Sequence, residues 1–154
     1  MSYRIVIAED SDLRLEYLQG YLEYLTHQVV GRTIVGDEAI AMAISLQPDL
    51  MLATVKGCRV DFFPGLQNLA AHHHIPTILI TDCGTEECVR QAAEAGVMMS
   101  LLTPVSQDEL QAAIHIALAR FQDLDALRQE VGNLKQALEQ RKMVERAKGI
   151  LMDR

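Results

Sequence analysis

The sequence predicts a doubly wound α/β domain, a parallel sheet with helices on both faces, continued by a long C-terminal helix. Three observations carry that expectation. Short apolar runs alternate with helix-period segments through the first 121 residues. The strand candidates include continuously apolar runs, the pattern of parallel strands covered on both faces. From Ser106 onward the helical pattern barely stops.

In chain order, "YRIVIA" (3–8) is a short, β-branched strand followed by acids. "SDLRLEYLQGYLEYLTH" (11–27) is a helix carrying Leu15, Leu18, Leu22 and Leu25, with Ser11 or Asp12 placed to cap it. "VVGRTIVG" (29–36) is a weaker strand, and "DEAIAMAISLQ" (37–47) an Ala-rich helix stopped by Pro48. "DLMLAT" (49–54) is the third strand. "DFFPGLQNLAAHH" (61–73) is a poorer helix with Pro64 in its first turn. "PTILIT" (76–81) is the fourth strand, "TEECVRQAAEAG" (85–96) a helix closed by Gly96, and "VMMSLLT" (97–103) the fifth strand. "SQDELQAAIHIALARF" (106–121) opens the last helix. Five βα units in about 120 residues have the size of a flavodoxin-like (βα)5 domain, whose sites lie at the carboxyl ends of the strands. The positions to inspect are Glu9 and Asp10, Thr54, Thr81 and Asp82, and Thr103.

Beyond residue 121, Leu124, Leu127, Val131, Leu134 and Leu138 step alternately by three and four. This heptad seam favours a dimerising coiled coil over a helix folded back on its own domain. Gly132 is its one weak point. The seam breaks at Arg141 and Glu145, and a new apolar set (Val144, Ala147, Ile150, Leu151) suggests a second module starting near residue 138. The predicted organisation is a domain over 1–121, a coiled-coil linker over 122–138 and the beginning of another domain over 139–154.

The 154 residues are 49% hydrophobic and 23% charged, an ordinary globular composition. No run is long and apolar enough to span a membrane. The N-terminus has no basic region followed by an apolar segment, which predicts a cytoplasmic protein. Cys58, Cys83 and Cys88 are odd in number and form no CxxC pair; half-buried thiols are expected, ahead of a Cys83–Cys88 metal pair. His72, His73 and His74 read as a polar loop, Phe62 and Phe63 as core. The net charge is −7, divided as +2 over residues 124–154 and −9 over the rest, so the body would repel nucleic acid and the tail would not.

Taken together, "RIVIAED", "QPDLMLAT", "IPTILIT" and "AGVMMSLLTPVSQDEL" resemble the receiver domain of two-component response regulators over residues 3 to about 120. That resemblance implies phosphoryl transfer to an aspartate, with two acids holding Mg²⁺ to offset the phosphoryl charge. Glu9 and Asp10 match the metal-binding acids, Thr81 the hydroxyl that binds a phosphoryl oxygen, and Pro104 the proline after the family's lysine. Asp61 matches an acid common at the start of the third helix. Thr54, however, stands where the phosphoacceptor aspartate belongs, Thr103 where the lysine belongs, and Ser100 where an aromatic switch residue is usual. Gly57 and Cys58 replace a common Met-Pro pair. A threonine hydroxyl is a poor nucleophile without a neighbouring base, and losing one carboxylate weakens Mg²⁺ binding. The expectation is a pseudo-receiver that is not an enzyme and needs no cofactor, with at most weak Mg²⁺ at Glu9 and Asp10. Those two acids could equally be a solvated strand end or a cap of the first helix.

"LEQRKMVERAKGILMDR" (138–154) looks like the opening of the ANTAR domain, an RNA-binding antitermination module, on Leu138, Arg141, Val144, Ala147, Lys148, Gly149, Leu151 and Met152. An ANTAR domain needs about three helices, so the resemblance implies an incomplete module here. Arg141, Lys142, Arg146 and Lys148 are its candidate RNA-contacting residues. The function expected from both resemblances is a regulator of transcription antitermination, dimeric through the coil. Its state would be set by a regulatory protein or a small ligand. The alternatives are a protein-interaction module without RNA binding, and a phosphorelay receiver using a displaced acid such as Asp49, Asp61 or Asp82.

Overall fold

The computed structural model describes residues 2–152, with side chains described throughout except at Val60 and residues 148–152. Five strands form one parallel sheet: β1 (Arg4–Glu9), β2 (Gln28–Ile34), β3 (Leu50–Val55), β4 (Thr77–Thr81) and β5 (Met99–Leu102), in the order β2-β1-β3-β4-β5. The connecting helices are α1 (Tyr17–Tyr24), α2 (Asp37–Leu46), α3 (Phe63–His72) and α4 (Glu86–Glu94), and α5 (Gln107–Met152) follows β5. A flavodoxin-like (βα)5 sheet with a long C-terminal helix is therefore the observed architecture. The chain divides into two units, Met1–Phe121 and Gln122–Arg154.

Alternation along the strands sorts side chains into two cores. Ile5, Ile7, Leu50, Leu52, Ile78 and Ile80 face one layer, with Leu18 and Leu22 of α1 and Leu110, Ile114 and Leu118 of α5. Val6, Ala8, Met51, Ala53 and Leu79 face the other, with Ala39, Phe63, Leu66, Leu69 and Ala92 of α2 to α4. β3 and β4 are buried at every residue, which explains their unbroken apolar runs. Phe62 and Phe63 are core, as expected, at 3% and 7% exposure. The register of β1 on β2 shifts between Ile5 and Val6.

The first helix departs from the sequence expectation. It starts at Tyr17, not at Ser11, and its N-cap position is Glu16 with no side-chain cap bond. The cause is tertiary. The Asp12 amide donates to Asp10 Oδ1 at 3.0 Å, the Leu13 amide to the Asp10 carbonyl at 3.0 Å, and the Leu13 carbonyl accepts the Thr54 hydroxyl at 2.8 Å. A helix from Ser11 would need that Leu13 carbonyl for its own ladder. Strand β2 ends at Ile34 because Gly36, with φ +138°, turns the chain into α2. Gly96 follows α4 with φ +83°, the left-handed exit expected of it. Gly132 passes inside α5 without a break.

In the second unit, Leu127, Val131, Leu134 and Leu138 are all about half exposed or more, and Leu124 is half-buried. Arg141, Lys142 and Arg146 are exposed on the same helix; the side chain of Lys148 lies outside the described residues, as do those of the other 148–152 positions.

Candidate functional site

The carboxyl ends of β1, β3, β4 and β5 bring the sequence candidates to one rim of the sheet. Pairing places Glu9 beside Thr54, and Val55 beside Thr81. The Thr103 amide donates to the Thr81 carbonyl at 3.0 Å, which sets Thr103 next to the end of β4. Asp10 leaves β1 and turns inward, 4% exposed.

Thr54 is fully buried and both roles of its hydroxyl are filled. It donates to the Leu13 carbonyl at 2.8 Å and accepts from the Asp10 amide at 3.2 Å. The Asp10 carboxylate is likewise engaged. Its Oδ1 takes the Asp12 amide at 3.0 Å, and its Oδ2 takes the Lys56 amide at 3.0 Å and the Arg59 guanidinium at 3.2 Å. Burial pushes the Asp10 pKa up, but the two amides and Arg59 outweigh it and hold the carboxyl below the usual range. Arg59 forms a two-pronged pair with Asp61, Nε to Oδ1 and Nη2 to Oδ2, each at 3.1 Å. That second partner steers the guanidinium over Asp10.

Glu9 does not join Asp10 in a shared site. It lies on the α1 side of the sheet and pairs with Arg32, whose other prong reaches Gln19 of α1 at 2.6 Å. The residues present therefore do not fit a Mg²⁺ ion, which takes a near-octahedral set of oxygen ligands anchored by one or two carboxylates free to coordinate it. One carboxylate is turned away, the other carries a guanidinium, and Thr54 adds no charge. Among the described residues, no group of three His, Cys, Asp or Glu is placed to hold a metal ion.

On the other half of the rim, the Thr81 hydroxyl donates to the Gly57 carbonyl at 3.0 Å and accepts from the Cys83 amide at 3.1 Å. Asp82 Oδ1 accepts the Gly57 amide at 2.7 Å. Gly57 holds this link with φ +68°, a left-handed conformation that a side chain would strain. Asp49 sits at the opposite, amino end of β3, accepting the Arg4 amide at 2.8 Å, and is remote from the rim along the strand. Ser100 and Leu102 are exposed on β5.

Sequence reasoning missed Arg59. Its signal was available: a basic residue four positions past the end of β3 and two before Asp61. It paired Cys83 and Cys88 only as a possible metal site and did not bring Cys58 to them, although Cys58 and Cys83 follow the ends of two paired strands.

A response regulator receiver domain matches residues 5–115. The chain belongs to this family. The receiver match ends within α5, but a second similarity runs further. The transcriptional regulatory protein PdtaR of Mycobacterium tuberculosis is 36% identical over 148 residues, covering 96% of this chain and 72% of that protein. A match of that length extends from the receiver into the second unit. The cyclic di-GMP phosphodiesterase response regulator RpfG of Xanthomonas campestris is 39% identical over 79 residues, covering 51% of this chain and 21% of that one. Among solved structures, the signal receiver domain of a modulated diguanylate cyclase from Desulfovibrio desulfuricans superposes with a TM-score of 0.68 at 28% identity, covering 79% of this chain and 98% of that one. A CheY-like receiver domain from Methanospirillum hungatei gives 0.66 at 19% identity, over 80% and 98%, and shows the shared fold alone. No described helix is long and apolar enough to cross a membrane.

Proposed function

We propose that this receiver is a pseudo-receiver, a cytoplasmic signalling domain that does not take a phosphoryl group and belongs to a regulator of transcription antitermination. The observation that carries the reading is Arg59. Its guanidinium stands on the Asp10 carboxylate, supplying from within the chain the positive charge that a metal ion would bring. Thr54 offers no carboxylate nucleophile, and its hydroxyl proton is held by the Leu13 carbonyl rather than by a base. State would then be set by a partner or ligand with different affinity for two conformations.

The output half of the proposal rests on similarity to a transcriptional regulatory protein that continues past the receiver, and on the ANTAR-like sequence of residues 138–154. The exposed seam Leu127, Val131, Leu134 and Leu138 supports pairing of two copies through a coil. Arg141, Lys142, Arg146 and Lys148 would contribute to an RNA hairpin surface.

Two measurements test the two halves. In an NMR titration with Mg²⁺ and then beryllofluoride, which mimics an aspartyl phosphate, the amides of Asp10, Thr54, Lys56 and Thr81 should not shift. Saturable shifts spreading from them to β5 and α5 would mean that a displaced acid accepts the phosphoryl group. Sedimentation should give twice the 17.2 kDa chain mass, and Leu134→Glu should return the monomer; a wild-type monomer would remove the coil from the reading.

A further inference from the structure

All three cysteines of the chain converge on the β4 side of the receiver rim. Cys83 Sγ lies 3.0 Å from Cys88 Sγ. Cys58 hydrogen-bonds through its thiol to Gln91 Oε1 at 3.1 Å, one helical turn beyond Cys88. The topology explains the meeting. Cys58 follows β3 and Cys83 follows β4, its paired neighbour, while Cys88 sits in the first turn of α4. Cys58, Cys83 and Cys88, with Phe63, Leu79 and Ser100, line a cavity of about 10 Å³, room for roughly one water-sized molecule. All three thiols are half-buried rather than enclosed.

We propose that Cys83 and Cys88 form a peroxide-oxidisable dithiol, a modification site that closes to a disulfide across the β4–α4 loop. The geometry favours a small oxidant: the cavity beside the thiols holds about one water-sized molecule, and hydrogen peroxide is little larger than water. In the first step the Cys83 thiolate attacks one peroxide oxygen. An S–O bond forms, the O–O bond breaks, sulfur loses two electrons, and hydroxide leaves to take up a proton as water. In the second step the Cys88 sulfur, giving up its proton, attacks the Cys83 sulfenic sulfur. The S–S bond forms and the hydroxyl leaves as a second water. Two thiols and one peroxide thus yield one disulfide and two waters.

The division of roles follows from the neighbours. Cys83 is drawn down by hydrogen bonds from the Cys88 thiol and from the hydroxyl and amide of Thr85, against burial and the charge of Asp82. The Thr85 hydroxyl also pulls Cys88 down, but the Cys58 and Cys83 thiols and burial push it up to about 11. Cys83 is therefore the attacking sulfur and Cys88 the resolving one. Once Cys83 is a neutral sulfenic acid, its thiolate no longer holds the Cys88 proton in place, and the second step is eased. The product would tie the residue two beyond Thr81 to the first turn of α4. This inference is independent of the phosphoryl and RNA readings above.

The test is mass spectrometry of the full chain after brief exposure to hydrogen peroxide, followed by alkylation and cleavage after Glu86 or Glu87. That cleavage separates Cys83 from Cys88, so only a disulfide keeps the two fragments joined. Joined fragments are expected for wild type and for Cys58→Ser, with reversal by a dithiol reductant. Cys88→Ser should instead leave a sulfenic acid on Cys83 that dimedone traps, and Cys83→Ser should lose thiol at least ~10-fold more slowly. Circular dichroism confirms that each variant is folded. Wild-type fragments that separate, a link that uses Cys58, or oxidation of Cys83→Ser at the wild-type rate would each overturn the proposal.

Discussion

The rim of this receiver has two halves, and they differ in what their polar groups are free to do. On the β1–β3 side, Asp10, Thr54, Arg59 and Asp61 form a closed chain of hydrogen bonds in which Asp10 and Thr54 are buried and fully partnered. On the β4–β5 side, the Cys83 and Cys88 thiols are half-exposed, lie against a small cavity, and touch each other and the Thr85 hydroxyl through weak contacts with no charged partner. Buried charged networks resist rearrangement because removing any partner leaves another charge without compensation. Weak thiol contacts impose no such cost. The rigid half is where the family's phosphoryl chemistry would sit, and the adaptable half is where this chain has placed reactive atoms.

The sharpest way to break the comparison is Thr54→Asp. A carboxylate there would face the Leu13 carbonyl without a proton to donate and would crowd Asp10. The expected loss is about 3 kcal/mol in urea unfolding, relieved in part by Mg²⁺. A variant as stable as wild type would show that the β1–β3 half still accommodates the acid.

Arg59→Ala comes next. It removes the guanidinium from Asp10, but that side chain is one-third exposed, so the expected loss is smaller, about 1–2 kcal/mol. The pH dependence carries more information. The Asp10 pKa is depressed in the folded protein, so its stabilisation is present above about pH 4 and is lost as pH falls through the lower folded value. Without Arg59 the folded pKa should rise toward the unfolded one, so thermal melts should lose less stability to acid than wild type, and Mg²⁺ should begin to shift the Asp10 and Lys56 amides. Identical acid profiles would remove Arg59 from the account of the closed half.

Thr85→Ala has the smallest expected effect and sharpens the other side. The Thr85 hydroxyl caps α4 by accepting the Cys88 amide at 3.3 Å, and it also contacts the Cys83 sulfur at 3.5 Å. Stability should fall by about 1 kcal/mol. The Cys83 pKa should rise, seen as slower alkylation at neutral pH. Slower alkylation without a stability change would mean that the hydroxyl serves the thiol alone.

The strands were legible because burial on both faces writes itself as unbroken apolar sequence, as in "LMLATV" and "TILIT". The same period logic placed α2 to α5 within a few residues. It failed at Ser11, where three bonds to Asp10 and Thr54 override the local helical pattern; such contacts have no local signature. The site was half legible. Glu9 and Asp10 are adjacent in sequence, yet strand alternation sends Glu9 to Arg32 on the α1 side while Asp10 turns to Arg59. Likewise, a spacing of five between Cys83 and Cys88 matches no helical contact. Only the turn between β4 and α4 brings them together.

The sheet's two borders carry a consequence for behaviour at high concentration. An edge strand offers unpaired amides and carbonyls on which a second molecule can add its own strand. Here the β5 border is only four residues long, with Pro104 two residues beyond it. The β2 border is bent by the shift opposite Ile5 and Val6 and carries Arg32. Both features discourage strand-by-strand growth into fibres. A chain that displays a row of exposed leucines on its last helix can therefore be crowded without its sheets polymerising.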